Sequence, residues 1–110
     1  LTGAITIKLT TIGAKSNQLR TVPVLATPKG EQLVLIATNW GQKHYPAWYY
    51  NLIAHPSATV DYQGQQQHYS VEEVTGDLRE ECWDLAVGRH IPVFLLTPVK
   101  PVTNVTPVTN

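Results

Sequence analysis

The 110-residue sequence contains no methionine and a single cysteine, Cys82. One cysteine excludes an internal disulfide and fits a reducing compartment. An initiator methionine must once have preceded Leu1, so the chain is expected to be a trimmed or partial sequence with upstream residues absent. No apolar run is long enough to span a bilayer, and no signal-peptide pattern opens the chain, which makes a cytoplasmic location the expectation. The sequon "NVT" at 104–106 reads as chance without secretion. Metal-ligand spacing is lacking: His44, His55, His68 and His90 are scattered and Cys82 stands alone. No G-x-S-x-G nucleophile motif and no P-loop occur, so neither covalent catalysis nor Walker-type nucleotide binding is indicated. Acids are missing from the first thirty residues, although net charge is zero. Residues 1–50 carry five cations against Glu31, and residues 51–110 carry seven acids. A basic N-terminal half points to an anionic ligand or to a solvated basic face. Without an Arg/Lys cluster, nucleic acid is not the expected partner.

At this length one domain with one core is expected. Residues 4–11 alternate Ile5, Ile7 and Leu9 with Thr6, Lys8 and Thr10, the period of a half-buried strand. Residues 12–18 are turn chemistry, and 19–27 read as a second strand in which Pro23 requires an edge or a bulge. "PKGE" at 28–31 reads as a tight turn, and 32–38 as a central strand, because it is almost continuously apolar. Residues 46–56 read as a short helix with Pro46 at its first position and Pro56 forbidding continuation. Trp48 and Leu52 share one helix face, with Asn51 beside them. A hairpin is expected around Gly64. Residues 77–87 read as an amphipathic helix with Leu78, Cys82 and Leu85 on one face. Its cap is Asp77, boxed with Glu80, or alternatively Thr75. Residues 91–97 read as a last buried strand. The tail repeats PVTN and offers no core. The pattern is about six short strands and two short helices, a mainly β (α+β) fold: a β-rich barrel or an α+β domain.

Two clusters carry candidate chemistry. In the first, Gly13-Ala14-Lys15-Ser16-Asn17 and Arg20, backbone N–H groups exposed in a turn accept anions, Lys15 and Arg20 add charge and Ser16 a hydroxyl. The same residues also make an ordinary basic hairpin loop. The second cluster is "NWGQKHYPAWYYNL" at 39–52, which holds five of the nine aromatic residues of the chain. Trp40 and Trp48 could wall a slot for a flat ring, with Gly41 allowing close backbone approach; a core lid uses the same residues. Cys82 on an apolar helix face reads as packing.

Taken together, "TTIGAKSNQLRTVPV", "VLIATNWGQKHYPAWYYNLIAHPSATVDYQGQ", "VEEVTGDLREECWDLAV" and "IPVFLLTP" resemble the deazaflavin (F-420)-dependent nitroreductase family of split β-barrel proteins over residues 10–98. The resemblance implies a six-stranded antiparallel split β-barrel of the FMN-binding type, with residues 1–98 as the deazaflavin-binding domain and 99–110 as an extended or disordered tail. It implies coenzyme F-420 as cofactor, FMN being the alternative, and hydride transfer to an electron-poor small molecule such as a quinone, nitroaromatic or activated enone. The cofactor does the hard chemistry, and no side chain is needed as nucleophile. A non-catalytic cofactor- or ligand-binding domain is the other alternative. By resemblance, Lys15, Ser16 and Arg20 meet the phosphate and oligoglutamate tail. Pro23, Val24 and the stretch Ala37, Thr38, Asn39, Trp40 and Gly41 run along the ring, and Trp48 and Asn51 close the pocket. Tyr45 and Tyr49 fall to the substrate side. A homodimer through the sheets and peripheral membrane association through a quinone are compatible with this reading. The sequence departs from the family pattern at Ala14, where the family has Arg, at Asn17 for Gly, and at Tyr45 for His. The family's tyrosine-rich segment has no counterpart between Gly88 and Arg89, which reads either as a deletion or as residues left out of this sequence, and no counterpart of the family's leading helix is seen.

Overall fold

The computed structural model describes residues 3–37, 45–75 and 92–100. Six strands and one helix lie in these residues: β1 (Ile5–Ile12), β2 (Leu19–Lys29), β3 (Gln32–Ile36), α1 (Ala47–Ala54), β4 (Ser57–Tyr62), β5 (Gln65–Glu73) and β6 (Val93–Pro98). The strands close into an antiparallel barrel in the order β1-β2-β3-β6-β5-β4. The expected six-stranded barrel is therefore the observed fold. The expected helix over 77–87, with Cys82, lies outside the described residues, as do residues 101–110.

Period-two patterning becomes an inside and an outside. Ile7 and Leu9 of β1, Ala26 of β2, Leu33 and Leu35 of β3, Val60 of β4, Val71 of β5, and Phe94 and Leu96 of β6 form one buried cluster, closed by Trp48 and Leu52 of α1. The intervening Thr6 and Lys8 face water. β3 and β6 break the alternation because both their faces are buried: Val34, Val93 and Leu95 join Val74 in a second cluster outside the barrel. This is why both read as continuous apolar runs.

Turn chemistry sets the registers. β4 and β5 pair up to Tyr62↔Gln65, leaving Gln63 (φ 54°) and Gly64 (φ 84°) as a two-residue loop with both residues left-handed. Such a turn matches the twist of the strands it joins. β2 and β3 pair up to Lys29↔Gln32, so β2 continues through Pro28 and the turn is shorter than "PKGE", only Gly30 and Glu31. Gly30 supplies a φ of 64°. Pro23 pairs across to Lys8 of β1. Among the described residues β2 meets β3 only at Thr27–Lys29, so Pro23 occupies a one-sided stretch, as its missing N–H requires.

Pro46 is the N-cap of α1 in extended geometry (φ −64°, ψ 155°), one place before the position expected for it, and the helix ends at Ala54 rather than Pro56. No side chain caps α1, and neither end carries a compensating charge. Packing holds it instead: Trp48, Asn51 and Leu52 are buried as one face against the barrel. β6 begins at Val93, two residues later than expected. The ladder does not stop at the expected domain boundary: Val99 N–H donates to the His68 carbonyl at 2.9 Å, and Gln67 Nε2 donates to the Val99 carbonyl at 3.1 Å.

Candidate functional site

Antiparallel order brings four chain segments to one end of the barrel: the β1–β2 loop, the exit of β3, helix α1 and the start of β6. A groove of about 840 Å³ opens there between the loop and α1. Lys15, Ser16 and Arg20 form one side; Trp48, Tyr50 and Asn51 of α1 form the other. Val22, two residues along β2 from Arg20, supplies an apolar floor.

The loop that carries the cations has a defined shape. Gly13 N–H donates to the Gln18 carbonyl at 2.8 Å, and Asn17 N–H donates to the Gly13 carbonyl at 2.9 Å. Asn17 closes this single turn in the left-handed region (φ 58°), which Asn tolerates better than most residues. Gln18 N–H donates to Ser16 Oγ at 3.2 Å. A methyl group on Gly13 would collide with Ser16 Oγ and press on the Gln18 carbonyl at 3.2 Å, so the loop requires glycine for space rather than for backbone angle. Ala14 N–H donates to Asn51 Oδ1 at 2.9 Å. The N–H groups of Lys15 and Ser16 are left without an acceptor among the described residues. Lys15 and Arg20 are exposed and have no carboxylate partner among them. Two cations, two unpaired amides and a hydroxyl thus converge on one rim, a donor set suited to a phosphate or carboxylate.

Of the expected site residues, Lys15, Ser16, Arg20, Trp48 and Asn51 line the groove. Trp48 serves two surfaces, since its ring also packs at 6.1 Å from Phe94 in the core. Pro23, Val24 and Ala37 do not line it. Val24 packs on the core, Pro23 is exposed, and Ala37 is buried with its N–H donated to the Pro92 carbonyl at 2.9 Å. Thr38, Asn39, Trp40 and Gly41 lie outside the described residues. Tyr45 and Tyr49 stand outside the groove's lining. Their rings lie 4.6 Å apart, and Tyr49 reaches Phe94 at 5.6 Å. Burial, with Glu73 and the neighbouring Tyr45 and Tyr50 in support, pushes the Tyr49 hydroxyl above the ordinary tyrosine range.

Sequence reasoning missed Thr11, Val22, Ala47, Tyr50, Ile53 and Ala54. Two signals carried all but Ile53. Thr11 is the cross-strand partner of Arg20, and Val22 follows Arg20 at the strand period. Ala47, Tyr50, Asn51 and Ala54 recur at the helical period and form one face of α1.

The model of the family described as F420H(2)-dependent quinone reductase matches residues 1–94. The chain belongs to this family. A quinone reductase of this family from Mycobacterium tuberculosis is 34% identical over 53 residues, which are 48% of this chain and 36% of that protein. The matched stretch thus covers about a third of the length of the curated relatives. A solved F420-H2 dependent reductase superposes with a TM-score of 0.74 at 30% identity, over 83% of this chain and 92% of its own. A second solved chain, from a domain-swapped dimer, gives the same score and identity over 83% and 78%. A heme storage protein from Vibrio cholerae shares the barrel alone, with a TM-score of 0.57 at 11% identity. The quinone reductase family thus agrees with the cofactor expected from the sequence motifs and with the split-barrel fold.

Proposed function

We propose that this domain binds reduced coenzyme F-420 in the groove between the β1–β2 loop and α1 and serves hydride transfer to a quinone. The observation that carries the proposal is the pairing of a donor rim, without a carboxylate partner among the described residues, with an apolar wall in a chain of this family. The fit is chemical: a planar ring with an anionic tail needs one wall of each kind. Lys15, Arg20 and the free amides of Lys15 and Ser16 hold the phosphate and carboxylates. Trp48 and Val22 flank the ring and exclude water. Bound F-420 supplies the hydride, and the chain's own residues orient the ring and strengthen the electrostatics of its tail by desolvation. Thr38, Asn39, Trp40 and Gly41 extend the ring contact, and Tyr45 and Tyr49 serve the acceptor side. The neighbour seen as a domain-swapped dimer supports a homodimer for this chain as well.

A fluorescence titration against F-420, with FMN in parallel, tests this. Lys15→Ala and Arg20→Ala should each weaken F-420 binding about tenfold, roughly 1.4 kcal/mol, and flatten its salt dependence, because each removes a screened charge contact. Unchanged affinity and salt slope in both variants would remove these residues from the site. FMN binding tighter than F-420 binding would move the function to a flavin protein.

A further inference from the structure

Asn51 is a polar side chain in an unusual place. It is 7% exposed on the packed face of α1, between Trp48 and Leu52. Both its polar atoms are used, and both reach far along the chain: Oδ1 accepts from Ala14 N–H at 2.9 Å, and Nδ2 donates to Thr11 Oγ1 at 3.0 Å. Thr11 is itself 1% exposed, and it stands opposite Arg20 in the β1–β2 ladder. Among the described residues, these are the two hydrogen bonds that join α1 to β1 and its loop.

We infer that Asn51 is a positioning residue that sets the width of the groove and presents the Lys15–Ser16 amides. The apolar wall rides on α1 and the cationic wall on the β1–β2 hairpin, so a bond between them fixes the gap that a ligand touching both must fit. The Ala14 bond also settles which amides are available. With Ala14 N–H held by Asn51, and those of Gly13, Asn17 and Gln18 held within the loop, the open donors are Lys15 and Ser16. Burial is the reason the bond is effective: water cannot compete for the amide, and an unpaired partner would be costly. Thr11 acts one step further back. Its hydroxyl accepts from Nδ2 and holds the Asn51 amide plane, while Ala14 N–H, a donor only, requires that Oδ1 face the loop. Thr11 borders the groove but is 1% exposed with its hydroxyl held by Asn51, and Ala14 exchange measured without ligand separates positioning from direct contact.

The inference rests on the F-420 reading for its ligand, but its geometry is tested without one. Amide hydrogen exchange on the ligand-free chain should show Ala14 protected in the native sequence and freely exchanging in Asn51→Ala, with Leu9 in β1 unchanged. In F-420 titrations, Thr11→Val should weaken binding severalfold and Thr11→Ser should return it to within about twofold of native. A role in folding alone would lower the melting temperature of Thr11→Val without that selective rescue of affinity. Protection of Ala14 that survives Asn51→Ala, or Thr11→Val binding like the native chain, overturns the inference. Should Asn51→Ala fail to fold, Ala14 exchange in the Thr11→Val and Thr11→Ser pair decides it. If the native chain binds no F-420, the functional reading fails by itself, and Ala14 exchange still decides whether Asn51 holds the loop.

Discussion

Tyr49 and Tyr69 are half-buried, and for each it is burial first that disfavours the phenolate and raises the hydroxyl's pKa. Tyr49 adds repulsion from Glu73. In the unfolded chain both would ionise near the ordinary tyrosine value of about 10. The folded state therefore holds its protons to higher pH. Their contribution to stability is complete below about pH 10 and is lost as pH rises through the folded-state values. Melting temperature measured from pH 8 to 11 should fall above about pH 10, and Tyr49→Phe should fall less steeply. An identical slope in the variant would show that Tyr49 does not carry the effect. Residue identity was informative elsewhere at this scale: the Gly/Ser/Asn turn with Lys15, Ser16 and Arg20 was readable as a candidate anion site or as an ordinary basic hairpin loop, and all three line the groove. Asn51 was readable as a site residue but not as a clamp, since its partners are 37 and 40 positions away.

Elements formed where local chemistry was unambiguous. The β4–β5 hairpin follows from its turn, yet Gln63 is a poor choice for a left-handed φ of 54°. The left-handed region costs an ordinary residue roughly 1–2 kcal/mol, and asparagine less. Gln63→Asn should therefore stabilise the domain by up to about 1 kcal/mol, read as a rise in the urea midpoint at constant slope. A lower midpoint would mean that Gln63 makes a contact outweighing its backbone cost. Helix α1 was legible from its two prolines, but its orientation was not. Burial of Trp48 and Leu52 turns Asn51 and Tyr50 toward the hairpin and sends Tyr49 to Phe94 instead. The roughly 100° between helix neighbours gives the adjacent tyrosines different further partners while their rings still meet edge-on at 5.1 Å.

At the scale of the molecule, one continuous core fills the barrel, so the strands stand or fall together. Leu35 is fully buried at its centre. Leu35→Ala should cost about 2–5 kcal/mol, a large part of the roughly 5–15 kcal/mol typical of whole domains. Tryptophan fluorescence in a Trp40→Phe, Trp83→Phe background, which leaves Trp48 to report α1, and far-ultraviolet dichroism, reporting the strands, should shift to lower denaturant together. Separate midpoints would show that α1 unfolds independently of the barrel and would weaken any account in which it serves as a fixed wall.

The sequence by itself determined the six strands, the turns between them, the helix and the donor-rich loop, because period, proline and glycine act within a few residues of themselves. It also carried enough motif to indicate the family. Tertiary structure decided which of those residues meet. Hairpin register set Thr11 beside Arg20, and packing α1 on the barrel brought it against the β1–β2 loop and gave the buried amide of Asn51 two partners it could not find locally. Those pairings depend on strand register and on the rotation of one helix. Both are settled by burying a shared core, not by any preference a short segment holds alone.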